Sequence, residues 1–172
     1  MIKFGPSGNS QSFYDEGYES TLEMPAWLSK RHLDIFEYSF GRGVRLTDAT
    51  GKSIAKEAAK YNIEITAHAP YFINFAATTD DKIENSYQHL ISSVKAEKAL
   101  GGNRVVFHAG SESKQNRDIA FGKVKENVEK VINKIIDLGY KDISICPETM
   151  GKQAQIGTVQ EVIELCKLHK NI

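Results

Sequence analysis

IEITAH at residues 63–68, RVVFH at 104–108 and ISICPE at 143–148 are three short apolar runs that decide the fold of this chain. Each is rich in β-branched or aromatic residues, as β-strands are. Each also ends on a residue type that binds metals, namely His68, His108 and Glu148, at intervals of 40 and 40 residues. Parallel strands joined by helices all end at one rim of their sheet, so the pattern predicts two imidazoles and a carboxylate at that rim.

The rest of the chain repeats the same unit of a short strand followed by a helix. Strands are predicted at about 2–5, 34–38, 63–67, 104–108 and 142–147, and helices at about 21–31, 50–61, 80–100, 117–138 and 158–168. Thr158 and Glu161 form a capping-box pattern that opens the last helix. The apolar stripe of the helix over 117–138 consists of Phe121, Val124, Val128, Val131, Ile135 and Leu138, and Gly139 follows as a helix stop. Repeated strand–helix units predict an α/β fold with a parallel sheet.

Two α/β architectures are compatible with this order, an open doubly wound sheet and a TIM (β/α)8 barrel. No G-x-G-x-x-G follows the first predicted strand, which disfavours a dinucleotide-binding sheet. Five units in 172 residues correspond to about 34 residues each, and eight such units would need about 275 residues, the size of a barrel. We therefore predict a single domain over 1–172 that is a partial TIM barrel with about the first five βα units. Its open sheet edges predict a tendency to self-associate.

The charge balance, apolar runs and cysteines of the chain limit the kinds of partner that we expect. Lys and Arg together number 22, as do Asp and Glu, so any binding to nucleic acid would need a local basic patch. No run approaches the roughly 20 apolar residues of a membrane span, and the N-terminal residues lack a signal-peptide pattern. Cys146 and Cys166 form no C-x-x-C pair. These features predict a cytoplasmic protein with no membrane partner.

His68, His108 and Glu148 are more informative together than singly. Alone, His68 could be a hydrogen-bonded rim histidine, His108 the start of an ordinary turn, and Glu148 half of a salt bridge. Together, imidazoles and a carboxylate suit zinc, manganese or iron. Two histidines and one glutamate also form a catalytic zinc set that leaves a position for water. The spacing does not choose the metal.

Three further residues are placed on the same predicted rim. Tyr71 and Phe72 follow His68 and could stack on a base or wedge into a duplex, or could pack on a neighbouring loop. Arg42 follows the strand predicted at 34–38, where contact with a phosphate and simple solvation are both open.

Three motifs in order resemble those of the endonuclease IV family, the zinc-dependent apurinic/apyrimidinic endonucleases. They are HAPYFIN at 68–74, VVFHAGS at 105–111, and PETMGK at 147–152 followed by QIGT at 155–158. The resemblance covers the whole chain, from FGPSGN at 4–9 to the last helix. The chain departs from the family pattern at Ala109, where the family usually has proline, and at Thr149.

The resemblance implies a TIM barrel that carries up to three zinc ions. His68 and His108 would bind one zinc, and Glu148 would bridge it to a second and take part in catalysis. The implied reaction is hydrolysis of the phosphodiester 5′ to an abasic site in double-stranded DNA, during base excision repair. Tyr71, Phe72, Asn74 and Arg42 would contact the DNA. The remaining family ligands come from later strands without a counterpart here, so we expect about one complete site and little or no activity from the chain alone.

Two other functions stay open. Xylose-isomerase-like sugar isomerases and epimerases share the fold implied by the resemblance and use manganese, magnesium or cobalt at the barrel rim. This alternative ranks second because the Tyr71–Phe72 pair and the three ordered motifs fit a nuclease better. The third possibility is a metal-binding or DNA-binding module without catalysis.

Overall fold

The computed structural model describes residues 2–172 of the chain. Four strands form the sheet: β1 (Ile35–Ser39), β2 (Glu64–His68), β3 (Arg104–Phe107) and β4 (Ser144–Pro147). The helices are α1 (Gln11–Asp15), α2 (Met24–Ser29), α3 (Asp48–Lys60), α4 (Asp80–Ala99), α5 (Arg117–Asp137) and α6 (Val159–Cys166), with a 3-10 turn over Thr21–Glu23 before α2. Apart from the first strand, and with the 3-10 turn counted as part of the first helix, the predicted elements agree with these bounds to within two residues. Helix α1 was not predicted.

The strands lie side by side in the order β1-β2-β3-β4, and every neighbouring pair is parallel. An open doubly wound sheet reverses its strand order at a switch point, whereas a TIM barrel adds each strand beside the previous one. The observed order is that of the barrel. The prediction of a partial α/β barrel is therefore confirmed, and the doubly wound alternative is wrong.

The strand predicted at 2–5 is not a regular strand, so that prediction is wrong in detail. The segment still runs beside β1: the Asp34 N–H donates to the Phe4 carbonyl at 2.9 Å, and the Glu37 N–H donates to the Pro6 carbonyl at 3.1 Å. A single parallel bridge joins Ser7 to Glu37. Pro6 has no N–H to donate, and this absence explains why the segment pairs without forming a continuous ladder.

The two faces of the sheet differ in chemistry. Side chains that alternate along the strands and face the helices are apolar and buried: Phe36, Ile65, Ala67, Val105, Phe107 and Ile145. The opposite face carries the alternate positions, among them Glu37, Thr66 and Arg104, and in a barrel this face would be the interior. The register places His68 on that polar face, paired with Val106 of β3.

The long helices cover the apolar face through the stripes that their periodicity predicts. Val124, Val128, Val131 and Ile135 of α5 are buried, and burying side chains of this size contributes about 1.5–3 kcal/mol each. Leu138, the C-cap of α5, is exposed, so its assignment to the buried stripe is wrong. Within residues 2–172, no helix has the length and hydropathy that crossing a bilayer would require.

Candidate metal centre

Three consecutive strand ends bring the candidate ligands together. His68 is the last residue of β2, His108 directly follows β3, and Glu148 directly follows β4. The register pairs Phe107 with Pro147, so His108 and Glu148 are the next residues along their strands. The Glu148 N–H extends this ladder by donating to the Phe107 carbonyl at 3.0 Å. The regular parallel sheet therefore aims all three side chains at one point on the rim.

One carboxylate oxygen contacts both imidazoles. Oε2 of Glu148 lies 2.9 Å from Nε2 of His68 and 3.0 Å from Nε2 of His108. The two imidazole rings meet edge to face with their centroids 5.0 Å apart. Among the described residues, this is the one group of three or more His, Cys, Asp or Glu side chains close enough to share an ion, with all ligand atoms within 4.8 Å of one another.

The His68 ring is oriented by its other nitrogen. Nδ1 of His68 lies 2.8 Å from the Ala69 carbonyl oxygen, which can only accept, so Nδ1 carries the hydrogen and donates it. In the neutral ring this leaves the Nε2 lone pair directed at the Glu148 carboxylate, an arrangement that needs a cation or an additional proton between the two atoms. A backbone carbonyl that fixes the tautomer in this way is a frequent companion of metal-binding histidines.

The geometry and the donor types fit a divalent metal ion. Nitrogen and oxygen ligands about 2.0–2.2 Å from a tetrahedral zinc ion lie roughly 3.3 Å from one another. The 2.9 and 3.0 Å separations around Glu148 are shorter than this by about 0.3 Å, so Glu148 and each histidine would move apart by that amount to accommodate the ion. Two imidazoles and one carboxylate also suit manganese. His68, His108 and Glu148 would hold the ion, and their role as ligands stays a prediction.

Exposed aromatic side chains flank this cluster. Tyr71 and Phe72 are 61% and 59% exposed, which is unusual for large apolar rings and shows that they do not pack into a neighbouring loop. The Tyr71 ring centroid lies 5.9 Å from that of His108 and 6.3 Å from that of His68. The Phe72 ring lies beside a different residue, with its centroid 5.9 Å from that of His89. The rim therefore offers one aromatic ring directly beside the candidate metal site.

Arg42 and Asn74 lie on the same rim, but Arg42 is exposed and Asn74 forms hydrogen bonds within the protein. Arg42 is exposed and directly follows Gly41, whose carbonyl accepts the Tyr71 N–H at 3.2 Å. The Asn74 side chain is engaged within the protein: its Oδ1 accepts the Ala76 and Ser111 N–H groups, each at 3.1 Å. Asn74 thus joins the loop after β2 to the loop after β3. Direct contact of either residue with DNA stays a prediction.

Sequence analysis missed Arg117, and it recognised Glu161 only as a helix cap. The two side chains form a two-pronged ion pair, with Arg117 Nε 2.8 Å from Glu161 Oε1 and Arg117 Nη2 2.9 Å from Glu161 Oε2. The capping box of Thr158 and Glu161 is also present. One signal was available, because a cation in the first turn of a helix is opposed by the helix dipole and therefore suggests a specific partner.

The Glu161 carboxylate is strongly stabilised in its charged form. Burial alone would raise its pKa, but the Arg117 guanidinium and the backbone N–H groups of Gly157 and Thr158 outweigh burial and lower the pKa to about 2. The same ion pair, followed by the pair with Glu112, raises the pKa of Arg117. The pair is therefore charged throughout the neutral range.

Known proteins are similar to this chain along almost its whole length. The family model described as a xylose isomerase-like TIM barrel matches residues 25–172. An uncharacterised protein of Methanocaldococcus jannaschii is 31% identical over 168 residues, which is 96% of this chain and 58% of that protein. A probable endonuclease 4 of Ureaplasma parvum is 31% identical over 121 residues, 66% of this chain and 39% of that protein. The chain thus spans about half the length of these two relatives.

Solved structures show the same fold at lower identity. Endonuclease IV from Thermus thermophilus superposes with a TM-score of 0.69 at 18% identity, over 94% of this chain and 56% of that one. D-Psicose 3-epimerase from Clostridium cellulolyticum superposes with a TM-score of 0.71 at 15% identity, over 96% and 57%. The resemblance to endonuclease IV is confirmed by these relatives. With most of its length matched by the family model, the chain belongs to the xylose isomerase-like TIM barrel family.

Proposed function

We propose that the protein is a zinc-dependent DNA repair endonuclease that hydrolyses the phosphodiester 5′ to abasic sites in double-stranded DNA. The observation that carries the proposal is the convergence of His68, His108 and Glu148 beside the exposed Tyr71 ring. The relatives named probable endonuclease 4 support it. A donor set of this kind, next to an aromatic surface open to solvent, suits hydrolysis of a large substrate that lies across the rim.

Each rim residue has a distinct task in this proposal. His68, His108 and Glu148 hold the ion, which when bound supplies Lewis-acid chemistry and a water of lowered pKa. The Ala69 carbonyl keeps Nε2 of His68 available as a ligand. Glu148 is 42% exposed, more than either histidine, and so is the ligand most accessible to substrate and to a second ion.

DNA contacts are assigned to the loops after β1 and β2. Tyr71 and Phe72 stack where the base is missing, because an abasic site leaves room for a ring and exposes the faces of its neighbours. Arg42 neutralises a phosphate, and contacts of this kind make affinity fall with salt concentration. Asn74, whose amide is already engaged, contributes chiefly by shaping the loop that carries the aromatic pair.

Three expectations about metal content and activity, self-association, and location belong to the same proposal. Within residues 2–172 there is one three-ligand group, so we expect the 172-residue chain alone to bind about one ion and to cleave DNA poorly or not at all. The open sheet edges favour self-association of that chain. Free Cys146 and Cys166 are compatible with a reducing cytoplasm as its location.

A sugar isomerase or epimerase is the second candidate, because the same donors also suit manganese and the fold is shared with D-psicose 3-epimerase. Such an enzyme needs an enclosed pocket for a small sugar, with most of the ligand's surface buried. The exposed aromatic pair fits a large, flat substrate better. A non-catalytic metal-binding or DNA-binding module is the third candidate.

The decisive experiment measures metal content and activity together. Zinc content of the 172-residue chain is compared with that of His68→Ala, His108→Ala and Glu148→Gln, with His89→Ala as a matched control outside the ligand group. We expect about one zinc per chain in wild type and control, and a loss in the other three. The complete protein is then assayed on a duplex with one abasic site and on a ketose with zinc or manganese.

Incision 5′ to the abasic site without ketose conversion is the expected result. Ketose epimerisation without incision would favour the second candidate, and metal binding without either activity would favour the third. Metal content indifferent to all three ligand substitutions would contradict the proposed centre.

A further inference from the structure

We propose that Arg117 and Glu161 are positioning residues that hold two ligand-bearing loops in register and thereby set the metal affinity of the centre. The inference rests on the proposed metal centre. One loop follows His108 and ends at α5, which begins with Arg117. The other follows Glu148 and ends at α6, whose first turn contains Glu161. Neither residue contacts the ligand atoms, so any influence on the metal must pass through the loops.

The Arg117 guanidinium donates hydrogen bonds to acceptors in both loops. Its Nη1 donates to Oε1 of Glu112 at 2.7 Å and to the Gln153 carbonyl at 2.6 Å. Its Nη2 donates to the Gln155 carbonyl at 3.0 Å, in addition to Glu161. Glu112 belongs to the His108 loop, and the two carbonyls belong to the Glu148 loop. A planar guanidinium can satisfy this many acceptors at fixed angles, which a lysine ammonium cannot.

Glu161 continues the connection from Arg117 towards Glu148. Its Oε2 accepts the N–H groups of Gly157 at 2.8 Å and Thr158 at 2.9 Å. The Gly157 carbonyl in turn accepts the Met150 N–H at 2.8 Å, two residues beyond Glu148. A Cβ at position 157 would lie 2.8 Å from the Glu148 carbonyl oxygen. Gly157 therefore packs directly against the Glu148 backbone, and the Glu161 carboxylate fixes Gly157.

The two loops are also joined by backbone hydrogen bonds close to the Arg117–Glu161 ion pair, which we call the clamp. Ser111 and Gln155 form an antiparallel bridge. The Ile156 N–H donates to the Gly110 carbonyl at 3.0 Å, and the Glu112 N–H donates to the Ala154 carbonyl at 2.9 Å. Gly110 lies two residues after His108. This short ladder and the Arg117–Glu161 pair together link the His108 backbone to the Glu148 backbone beyond the end of the sheet.

The physical consequence is preorganisation of the ligands. An ion binds more tightly when its ligands need not be ordered during binding, and loops without such ties carry that entropic cost. Removal of supporting hydrogen bonds around metal ligands typically weakens metal binding by about 10–100-fold. Because the clamp acts through backbone rather than on the ligands themselves, we expect an effect near the lower end of that range, roughly tenfold.

The test measures zinc affinity by competition with a chromophoric chelator for wild type, Glu161→Gln and Arg117→Lys. Asp142→Asn is the matched control, since it removes an ion pair with Lys98 in which neither partner belongs to the two loops. The free energy of unfolding of each metal-free chain is measured in urea, and amide hydrogen exchange is followed at Met150 and Gly157. The clamp variants should bind zinc roughly tenfold more weakly at unchanged stoichiometry, with faster exchange at both amides; the control should match wild type.

The other possible outcomes distinguish a failure of this inference from a failure of the proposed metal centre. Clamp variants that lose stability but keep wild-type zinc affinity would show a merely structural role and overturn this inference, while leaving the metal centre intact. A wild-type chain that binds no zinc would overturn the metal centre and the inference together. Equal weakening in Asp142→Asn would mean that general destabilisation, and not the clamp, controls affinity, which would also overturn the inference.

Discussion

The buried carboxyl group of Glu97 should make the free energy of unfolding fall as the pH rises. Glu97 lies in α4 and is fully buried. Its Oε1 accepts the Arg104 N–H at 3.2 Å, whereas its Oε2 has no hydrogen-bond partner within residues 2–172. Burial raises the pKa of Glu97 from 4.5 to about 8, with a smaller contribution from Glu37 and opposition from Arg104. Among the described residues, no hydrogen bond or ion pair joins Glu97 to His68, His108 or Glu148.

The direction and size of the effect follow from proton linkage. Between pH 4.5 and about 8 the folded chain keeps a proton that the unfolded chain releases, so the free energy of unfolding falls as the pH rises. Below pH 4.5 both states are protonated, and the penalty is absent. Each pKa unit corresponds to about 1.36 kcal/mol. The rise from 4.5 to about 8 therefore lowers the free energy of unfolding by roughly 5 kcal/mol above pH 8.

Glu97→Gln tests this reasoning because glutamine keeps the shape of the protonated acid and never ionises. Urea unfolding of the metal-free chain is measured at intervals from about pH 4.5 to 9. The variant should match wild type to within about 1 kcal/mol at the acid end and be more stable by several kcal/mol, up to roughly 5, at the alkaline end. Glu129→Gln, on the exposed surface of α5, is the control for the same chemical change. A stability difference between Glu97→Gln and wild type that does not change with pH would refute the reasoning.

Three further predictions concern the clamp, a loop glycine and the rim. The lowered pKa of Glu161 stabilises the folded chain above pH 4.5, and this stabilisation is lost as the pH falls towards 2. Over that range the free energy of unfolding of wild type should fall by roughly 3 kcal/mol more than that of Glu161→Gln, measured by urea unfolding at acid pH. Gly110→Ala should destabilise the chain by about 1–3 kcal/mol in thermal unfolding, because the backbone φ is +136° and the new Cβ would lie 2.3 Å from Asn74 Oδ1. Gly122→Ala, in α5 with open space around it, should instead stabilise by roughly 0.5–1 kcal/mol, and the opposite ranking would contradict the steric argument. Tyr71→Ala in the complete protein should weaken binding to an abasic duplex by about 1–3 kcal/mol in fluorescence anisotropy at fixed salt, with metal content unchanged; equal affinity would exclude stacking by this ring.

The local sequence determined the helices, most of the strands and the positions of the candidate ligands. Helix periodicity and caps act within a few residues, which is why α4 and α5 are predicted almost to their ends. The convergence of His68, His108 and Glu148 was also predictable from spacing, because parallel strands in consecutive order bring their carboxyl ends to one rim. Their ligand role and the DNA contacts of the rim residues remain predictions.

Tertiary structure decided the features that depend on distant partners. Pro6 interrupts pairing beside β1, and Leu138 is exposed at the end of α5. The partners of Arg117 lie up to 44 residues away along the chain, and no local pattern could assign them. The burial of Glu97 likewise follows from how α4 packs against the sheet. Short-range preferences specify elements and their ends, whereas long-range contacts specify which polar groups are buried, paired and held in place.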